Sequence, residues 1–160
     1  MDKSRASRKS EKAVTLRVFK PQDLDQVKSL IDTTIDAVYS HYPVEFIDYW
    51  KSNIHSESSI LGDARIGFVV VAELDRRIVG TGTLLGKEIS RVFVTPDFQR
   101  RGIGKLIMGS LERCAAENGV KVVYLTSTAV SKGFYESLGY SVIEGEVFSS
   151  EGRLQLATSR

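Results

Sequence analysis

The segment Gln99-Arg100-Arg101-Gly102-Ile103-Gly104 has the residue types of an anion-binding turn. The chain leaves an alternating run at Thr95, passes Pro96-Asp97-Phe98 and enters a helical pattern near Gly102. The first N–H groups of a helix have no intrahelical acceptor and sit at the positive end of its dipole. Glycines at 102 and 104 leave that backbone open to a phosphate. Arg100, Arg101 and Lys105 add positive charge, and Gln99 offers a neutral donor. Together these features suit a pyrophosphate, although a short Gly-x-Gly also reads as a plain tight turn. Spacing separates the competing phosphate motifs. A P-loop requires Gly-x-x-x-x-Gly-Lys-Ser/Thr, which the chain lacks. A dinucleotide fingerprint requires a third glycine where Ile107 stands and an acidic residue where Val122 and Val123 stand. Neither nucleotide motif fits.

The elements that must position this turn follow from hydrophobic periodicity. Residues 14–19 alternate as a strand, and Val27, Leu30, Ile31, Ile35 and Val38 recur at helical spacing after Pro21. Residues 43–51 suit a second helix with proline in its first turn, and the polar stretch 52–64 reads as a loop. Residues 66–72 and 78–85 form a hairpin around a short polar turn, and 88–95 is a further strand. Ile103, Leu106, Ile107, Leu111, Cys114 and Ala115 make one apolar stripe of a helix ending at Asn118-Gly119. Residues 122–125 read as a buried strand, 130–138 as a short helix, and 140–143 and 154–157 as closing strands. An antiparallel hairpin followed by a strand–helix–strand crossover predicts an α/β fold, a mixed sheet of about seven strands with helices on both faces. Residues 13–160 are expected to form one domain behind an unstructured basic tail of residues 1–12.

With the elements in place, a family resemblance becomes visible. Gln99-x-x-Gly102-x-Gly104, following the strand Arg91-Val92-Phe93-Val94-Thr95-Pro96, is similar to the Gln/Arg-x-x-Gly-x-Gly/Ala signature of the GNAT (GCN5-related) N-acetyltransferases. Downstream, Ser131-Lys132-Gly133-Phe134-Tyr135-Glu136-Ser137-Leu138-Gly139-Tyr140 resembles that family's Ala-x-x-Phe-Tyr-Glu-x-x-Gly-Phe helix. The two signatures stand in the family's order with one strand between them, and the looser similarity extends over residues 14–158. The fold so implied is the GNAT type, mixed and mostly antiparallel.

The resemblance implies acetyl-CoA as co-substrate, no metal, and acyl transfer to a primary amine. Its pyrophosphate would lie on the backbone from Arg101 through Gly102, Ile103 and Gly104 to Lys105, with Gln99 or Arg100 at the mouth. Its pantetheine arm would run along Phe93, Val94 and Thr95, with Ser127, Ser131 and Phe134 nearby; as a packing matter Phe134 reads as core. An amine attacks a thioester only as the neutral base, so a group must take its proton. Glu88, fourteen residues before Gly102, corresponds to the catalytic glutamate of the histone-acetylating branch. A carboxylate at a strand end, partly buried among Ile89 and Val92, suits that work. Tyr135 matches the family tyrosine that protonates the departing thiolate, and the Val94 N–H is placed to meet the thioester carbonyl. The chain departs from the family where Thr126-Ser127-Thr128 replaces an asparagine that binds pantetheine. Tyr39, His41, Tyr42 and Trp50 fall where this family shapes its acceptor pocket.

Composition narrows the rest. The 42 % apolar and 26 % charged fractions are those of a globular protein, and no apolar run approaches a membrane span. The single cysteine, Cys114, excludes an internal disulfide and reads as core; with no apolar signal core, the cytoplasm is the expected location. His41 and His55 lack the neighbours of a metal site or triad. Lys3, Arg5, Arg8, Lys9 and Lys12 against Asp2 and Glu11 give the tail +3 of the net +2, leaving a near-neutral body. Nucleic acid and membrane are therefore not the expected partners; a small-molecule, peptide or protein amine is, and a homodimer is compatible with the family. A CoA-binding sensor or scaffold with the same fold but no turnover is the alternative.

Overall fold

The computed structural model describes residues 13–148 and 153–159; the expectation for the tail, residues 1–12, lies outside the described residues. Strand β1 (Thr15–Val18) leads through a short 3-10 turn (Pro21–Asp23) into helix α1 (Leu24–Val38). Helix α2 (Val44–Tyr49), a π turn (Trp50–Ile54) and α3 (Glu57–Ile66) follow. Then come β2 (Phe68–Leu74), β3 (Arg77–Leu85), β4 (Glu88–Val94), a 3-10 turn (Pro96–Phe98) and α4 (Ile103–Glu117). Strand β5 (Val122–Thr128), α5 (Lys132–Ser137), β6 (Ser141–Phe148) and β7 (Arg153–Ser159) complete the order. The seven strands form one sheet in the order β1-β2-β3-β4-β5-β7-β6. Every neighbouring pair is antiparallel except β4 and β5. The α/β reading and the mixed, mostly antiparallel sheet are what the chain adopts.

Both faces of the sheet are apolar, because alternate residues of a strand point to opposite sides. Val70 and Ala72 of β2 pack with Ile103, Ile107, Met108, Leu111 and Ala115 of α4. Val69 and Val71 of the same strand pack with Val27, Leu30, Ile31 and Ile35 of α1 and Ile60 of α3. Helix α4 lies close on β3 because Gly80 and Gly82 have no side chains there. A β-carbon at Gly80 would come within 2.8 Å of Ile107, and one at Gly82 within 2.6 Å of it. The hairpin between β2 and β3 turns on Asp75 and Arg76 alone, both at positive φ (54° and 65°), the pattern of a two-residue turn whose twist matches the strands. At the sheet edge the Arg17 guanidinium donates to Asp23 (2.8 and 2.9 Å) and to Glu73 (2.7 and 3.0 Å). That fork ties β1 and the start of α1 to β2.

Three local expectations change. Residues 52–64 are not a loop: they hold the end of the π turn and most of α3, capped where the Ser56 hydroxyl accepts from the Ser59 N–H at 3.1 Å. Only Ile60 of α3 is fully buried, so the helix shows little of the apolar periodicity by which helices are read. On α4, Leu106 is exposed and Met108 takes the buried place. Residues 122–125 are not buried throughout, since Val123 and Leu125 point inward while Val122 and Tyr124 are half-buried, and β5 runs on to Thr128.

Candidate active site

The site forms where β4 and β5, the one parallel pair, come apart. They pair only at Glu88 with Tyr124 and Ile89 with Leu125. From there β5 stays with β7 along its whole length, while β4 follows β3 through a bulge. Thr81 and Thr83 face Phe93 and Ser90, so Arg91 and Val92 stand opposite the single residue between. A bulge bends its strand and sharpens its twist, and here it carries Val92–Val94 away from Thr126–Thr128.

Two cavities occupy the split and meet. One, of about 230 Å³, is lined by Glu88, Ser90 and Arg91 of β4, Thr126–Thr128 of β5, and Trp50, Ile54 and His55 from the α2–α3 segment. The other, of about 450 Å³, is bounded by Val94, Phe98, Gln99, Arg100, Gly102, Gly104 and Lys105 on one side and Val130 and Phe134 on the other. Tyr39, Val92, Phe93, Ser131 and Tyr135 line both. Strand alternation supplies the edge between them. The Thr95 N–H goes back to the Val79 carbonyl at 2.9 Å, so the N–H and C=O of Val94 face the other way, toward the split.

The turn after β4 has the backbone of an anion cradle. Arg100 and Gly102 adopt positive φ (63° and 81°) on either side of Arg101, and turns of this kind can fold successive N–H groups into a concavity. Gly102 is the N-cap of α4, so the N–H groups of Ile103, Gly104 and Lys105 lie in the first turn without intrahelical acceptors. Helix α5 crosses this start: a β-carbon at Gly104 would meet the Phe134 ring at 3.0 Å. Phe134 is 37 % exposed and forms a lip of the larger cavity, not the core position that packing suggested.

Tyr135 is the buried group at the junction. It is 8 % exposed, its ring meets Phe134 edge-on at 5.1 Å, and burial raises its phenol above the ordinary tyrosine value, with Tyr39 adding to the effect. It is therefore a protonated donor at neutral pH. Beside it the Tyr39 hydroxyl lies 3.2 Å from Thr128 Oγ1 and 3.3 Å from Ser131 Oγ. This hydroxyl group links α1, β5 and the start of α5.

Of the residues expected to contact a cofactor, Phe93, Val94, Gln99, Arg100, Gly102, Gly104, Lys105, Ser131 and Phe134 line the larger cavity. The others lie elsewhere. The Thr95 and Ile103 side chains are buried, which leaves only backbone to face a ligand. Arg101 stacks its guanidinium on Phe98, 4.8 Å from the ring centre. Ser127 is buried, lines the smaller cavity and donates to the Thr128 carbonyl at 2.8 Å. Gln99 lines the cavity, but its side-chain amide donates to the Val94 carbonyl at 2.9 Å, so it braces the strand end instead of facing an anion. Glu88 lines the smaller cavity at the start of β4 and is exposed, against the expected partial burial.

Of the four aromatic and histidine side chains expected at an acceptor pocket, two line a cavity. Tyr39 and Trp50 reach the smaller cavity, whereas Tyr42 packs behind them, 5.3 Å from Trp50, and His41 packs against Tyr42 at 4.6 Å. Sequence reasoning missed His55, whose ring meets Phe93 edge-on at 5.2 Å, and it missed Arg91 as a lining residue. A lone histidine in a polar stretch carries no signal of this placement.

Comparison with known proteins places this geometry. The Acetyltransferase (GNAT) domain family matches residues 65–142. A provisionally named acetyltransferase of Bacillus subtilis is 37 % identical over 71 residues, 44 % of this chain and 45 % of that protein. The chain thus spans under half the length of this relative. The N-terminal acetyltransferase B complex catalytic subunit naa20 of Schizosaccharomyces pombe is 25 % identical over 130 residues, 79 % of this chain and 70 % of that one. Among solved structures, PaiA N-acetyltransferase of Thermoplasma acidophilum, crystallised with coenzyme A, superposes with a TM-score of 0.81 at 16 % identity, covering 92 % of this chain and 99 % of that one. A GCN5-related N-acetyltransferase of Rhodopseudomonas palustris superposes with a TM-score of 0.82 at 21 % identity, covering 91 % and 95 %. Split strand and glycine turn agree with these comparisons: the chain has the GNAT acetyltransferase fold, and its residues 65–142 match the GNAT domain.

Proposed function

We propose that the chain is an acetyl-CoA-dependent N-acetyltransferase that moves an acetyl group to a primary amine by direct attack of the amine on the thioester. One observation carries the reading: two cavities, one entered over the glycine turn and one beside Glu88, meet at Tyr135 in the gap between β4 and β5. Such an arrangement lets two substrates approach one point from opposite sides, which converts their encounter into an oriented one.

The larger cavity suits coenzyme A. Its cradle offers the first-turn N–H groups of α4, with Arg100 and Lys105 beside them, and pyrophosphate is an anion of the size such a helix start accepts. Pantetheine would lie along Phe93 and Val94. When bound, acetyl-CoA supplies the acetyl group and a thiolate leaving group. Within the chain, the Val94 N–H faces the gap and can receive the thioester carbonyl oxygen. Tyr135, protonated and buried, would give its proton to the departing sulfur and regain one from the acylated nitrogen, which must shed its extra proton to become the amide. Glu88, exposed at the mouth of the smaller cavity, takes the proton of the incoming ammonium, directly or through water. Tyr39, Trp50 and Phe93 are the apolar walls an amine would meet.

Among the described residues no helix is long and apolar enough to cross a membrane. Cys114 is a free, half-buried thiol on α4, in keeping with work in the reducing cytoplasm. The test is thiol release from acetyl-CoA against a panel of spermidine, tyramine, L-lysine and short peptides with free N-termini. Amine-dependent release supports the reading. Coenzyme A binding with no release for any amine favours the sensor or scaffold alternative.

A further inference from the structure

Arg91 stands at the point where β4 parts from β5, two residues past Ile89, the last residue of β4 paired with β5. Its backbone is left-handed, φ 52°, a region that side-chain-bearing residues enter at an energetic cost. Glycine is the usual occupant of such a bulge position. Something must therefore hold an arginine there.

Its side chain shows what does. Only 10 % exposed, the guanidinium donates to the Ile54 carbonyl and to the Asp63 carboxylate. It lies 3.2 Å from His55 Nδ1 and 3.5 Å from the Ser59 carbonyl. Guanidinium has donors and no acceptor, so His55 Nδ1 receives that bond. All four partners belong to the π turn and α3 or the short link between them. The same segment gives Trp50, Ile54 and His55 to the smaller cavity.

We infer that Arg91 is a positioning residue: its side chain ties the β4 bulge to the π turn and α3, and this tie holds open the split in which acyl transfer takes place. The inference rests on the acyl-transfer reading of that split. Without the tie, the cheaper backbone at residue 91 is regular β structure, which removes the bulge. Removing one residue from the register turns Val92–Val94 over and lets β4 run on beside β5. The donors of Arg91 thus act on both cavities at once. They fix the edge offered to one substrate, and they fix the wall, His55 against Phe93, offered to the other.

Three variants test the tie, with coenzyme A as the probe in calorimetry and hydrogen exchange read on peptides covering 50–66 and 90–95. Arg91→Ala should weaken coenzyme A about tenfold or more, as misplacement of a site by an ångström does, and should speed exchange in both stretches. Arg91→Gly should restore coenzyme A affinity to within about threefold of the original, because glycine takes φ 52° freely, while 50–66 still exchanges fast. Asp63→Asn loosens the tie but leaves a side-chain-bearing residue at 91, so it should behave like Arg91→Ala. A purely structural role would not separate glycine from alanine. The inference is overturned if alanine and glycine at 91 are alike in coenzyme A affinity, or if 50–66 is as protected in Arg91→Gly and Asp63→Asn as in the unaltered chain. Should the unaltered chain bind no coenzyme A, the acyl-transfer reading fails separately, and the exchange of 50–66 still decides whether the tie exists.

Discussion

Phe134 lies across the start of α4 so closely that a β-carbon on Gly104 would sit 3.0 Å from the tip of its ring. The contact joins the two sequence signatures in space: the glycine turn and the Phe-Tyr helix form two sides of one cavity. Glycine at 104 therefore serves both the N–H cradle and the seat of an aromatic lip.

The first prediction follows from that contact. Because Phe134 is partly exposed, its ring can give way to a methyl group, so Gly104→Ala should fold with a melting temperature close to the original. Gly104→Leu should still fold but cover the cradle. Loss of a backbone hydrogen bond to a charged group costs about 1.5–3 kcal/mol, so coenzyme A should bind ten- to a hundredfold more weakly. Calorimetric titration with coenzyme A measures the change, and equal affinity for the leucine variant would remove the cradle from the site.

Tyr135 yields a prediction in two parts. As proton donor to sulfur, its replacement in Tyr135→Phe should lower kcat by about 10²–10⁴-fold while coenzyme A affinity holds. The pH dependence has a definite sign. Burial raises the folded-state pKa above the ordinary value of 10, so the folded state holds this proton more tightly than the unfolded chain does. The corresponding stability is complete below pH 10 and is lost as pH climbs through the folded-state pKa. Thermal melts above pH 10 should thus fall more steeply for the original than for Tyr135→Phe. Unchanged turnover in the variant would remove the tyrosine from the chemistry.

The sheet edge carries the opposite dependence. Hydrogen bonding from the Arg17 guanidinium holds the Asp23 carboxyl below its ordinary value of 3.8, against the opposing effect of burial. A depressed folded-state pKa means stability that is present above about pH 4 and lost as pH falls through the folded value. Asp23→Asn should therefore cost stability at pH 7, on the order of 1–3 kcal/mol because partly buried Arg17 keeps only Glu73 of its two carboxylates, and little at pH 2. Urea unfolding at the two pH values measures this. A loss of equal size at both would show that charge plays no part.

Sequence and structure agree most closely where local chemistry dictates geometry. The Asp75-Arg76 turn lies between two β-branched runs, and the run after Gly102 has helical periodicity; both elements stand where the residues put them. All seven expected strands are present, although β6 runs five residues past its expected end. What the residues concealed depends on tertiary partners. Helix α3 buries Ile60 and little else, so its polar sequence reads as a loop. Phe134 looks like core until α4 is seen to approach through a glycine. Arg91 reads as an ordinary strand residue, since the acceptors that draw it into the left-handed region lie 28 to 37 positions earlier in the chain. Glu88 is singled out in the sequence by its distance from the glycine turn, but its exposure is not, because the residues on either side of it in the strand do not reveal which strand-end positions the sheet covers.

That exposure shapes the last prediction. A base at the open mouth of a cavity can hand its proton to water, and its task is to generate the neutral amine near neutral pH. Alkyl ammonium groups titrate near pH 10, so about one in a thousand is neutral at pH 7. Glu88→Gln should therefore reduce kcat by about 10²–10⁴-fold at pH 7, with coenzyme A affinity unchanged because Glu88 lines only the smaller cavity. As pH rises toward 10 the amine loses its proton without help, and the deficit should shrink. Thiol-release rates for both proteins from pH 6.5 to 9.5 give the ratio. A ratio that stays constant across that range would show that Glu88 aligns or attracts the amine and does not deprotonate it.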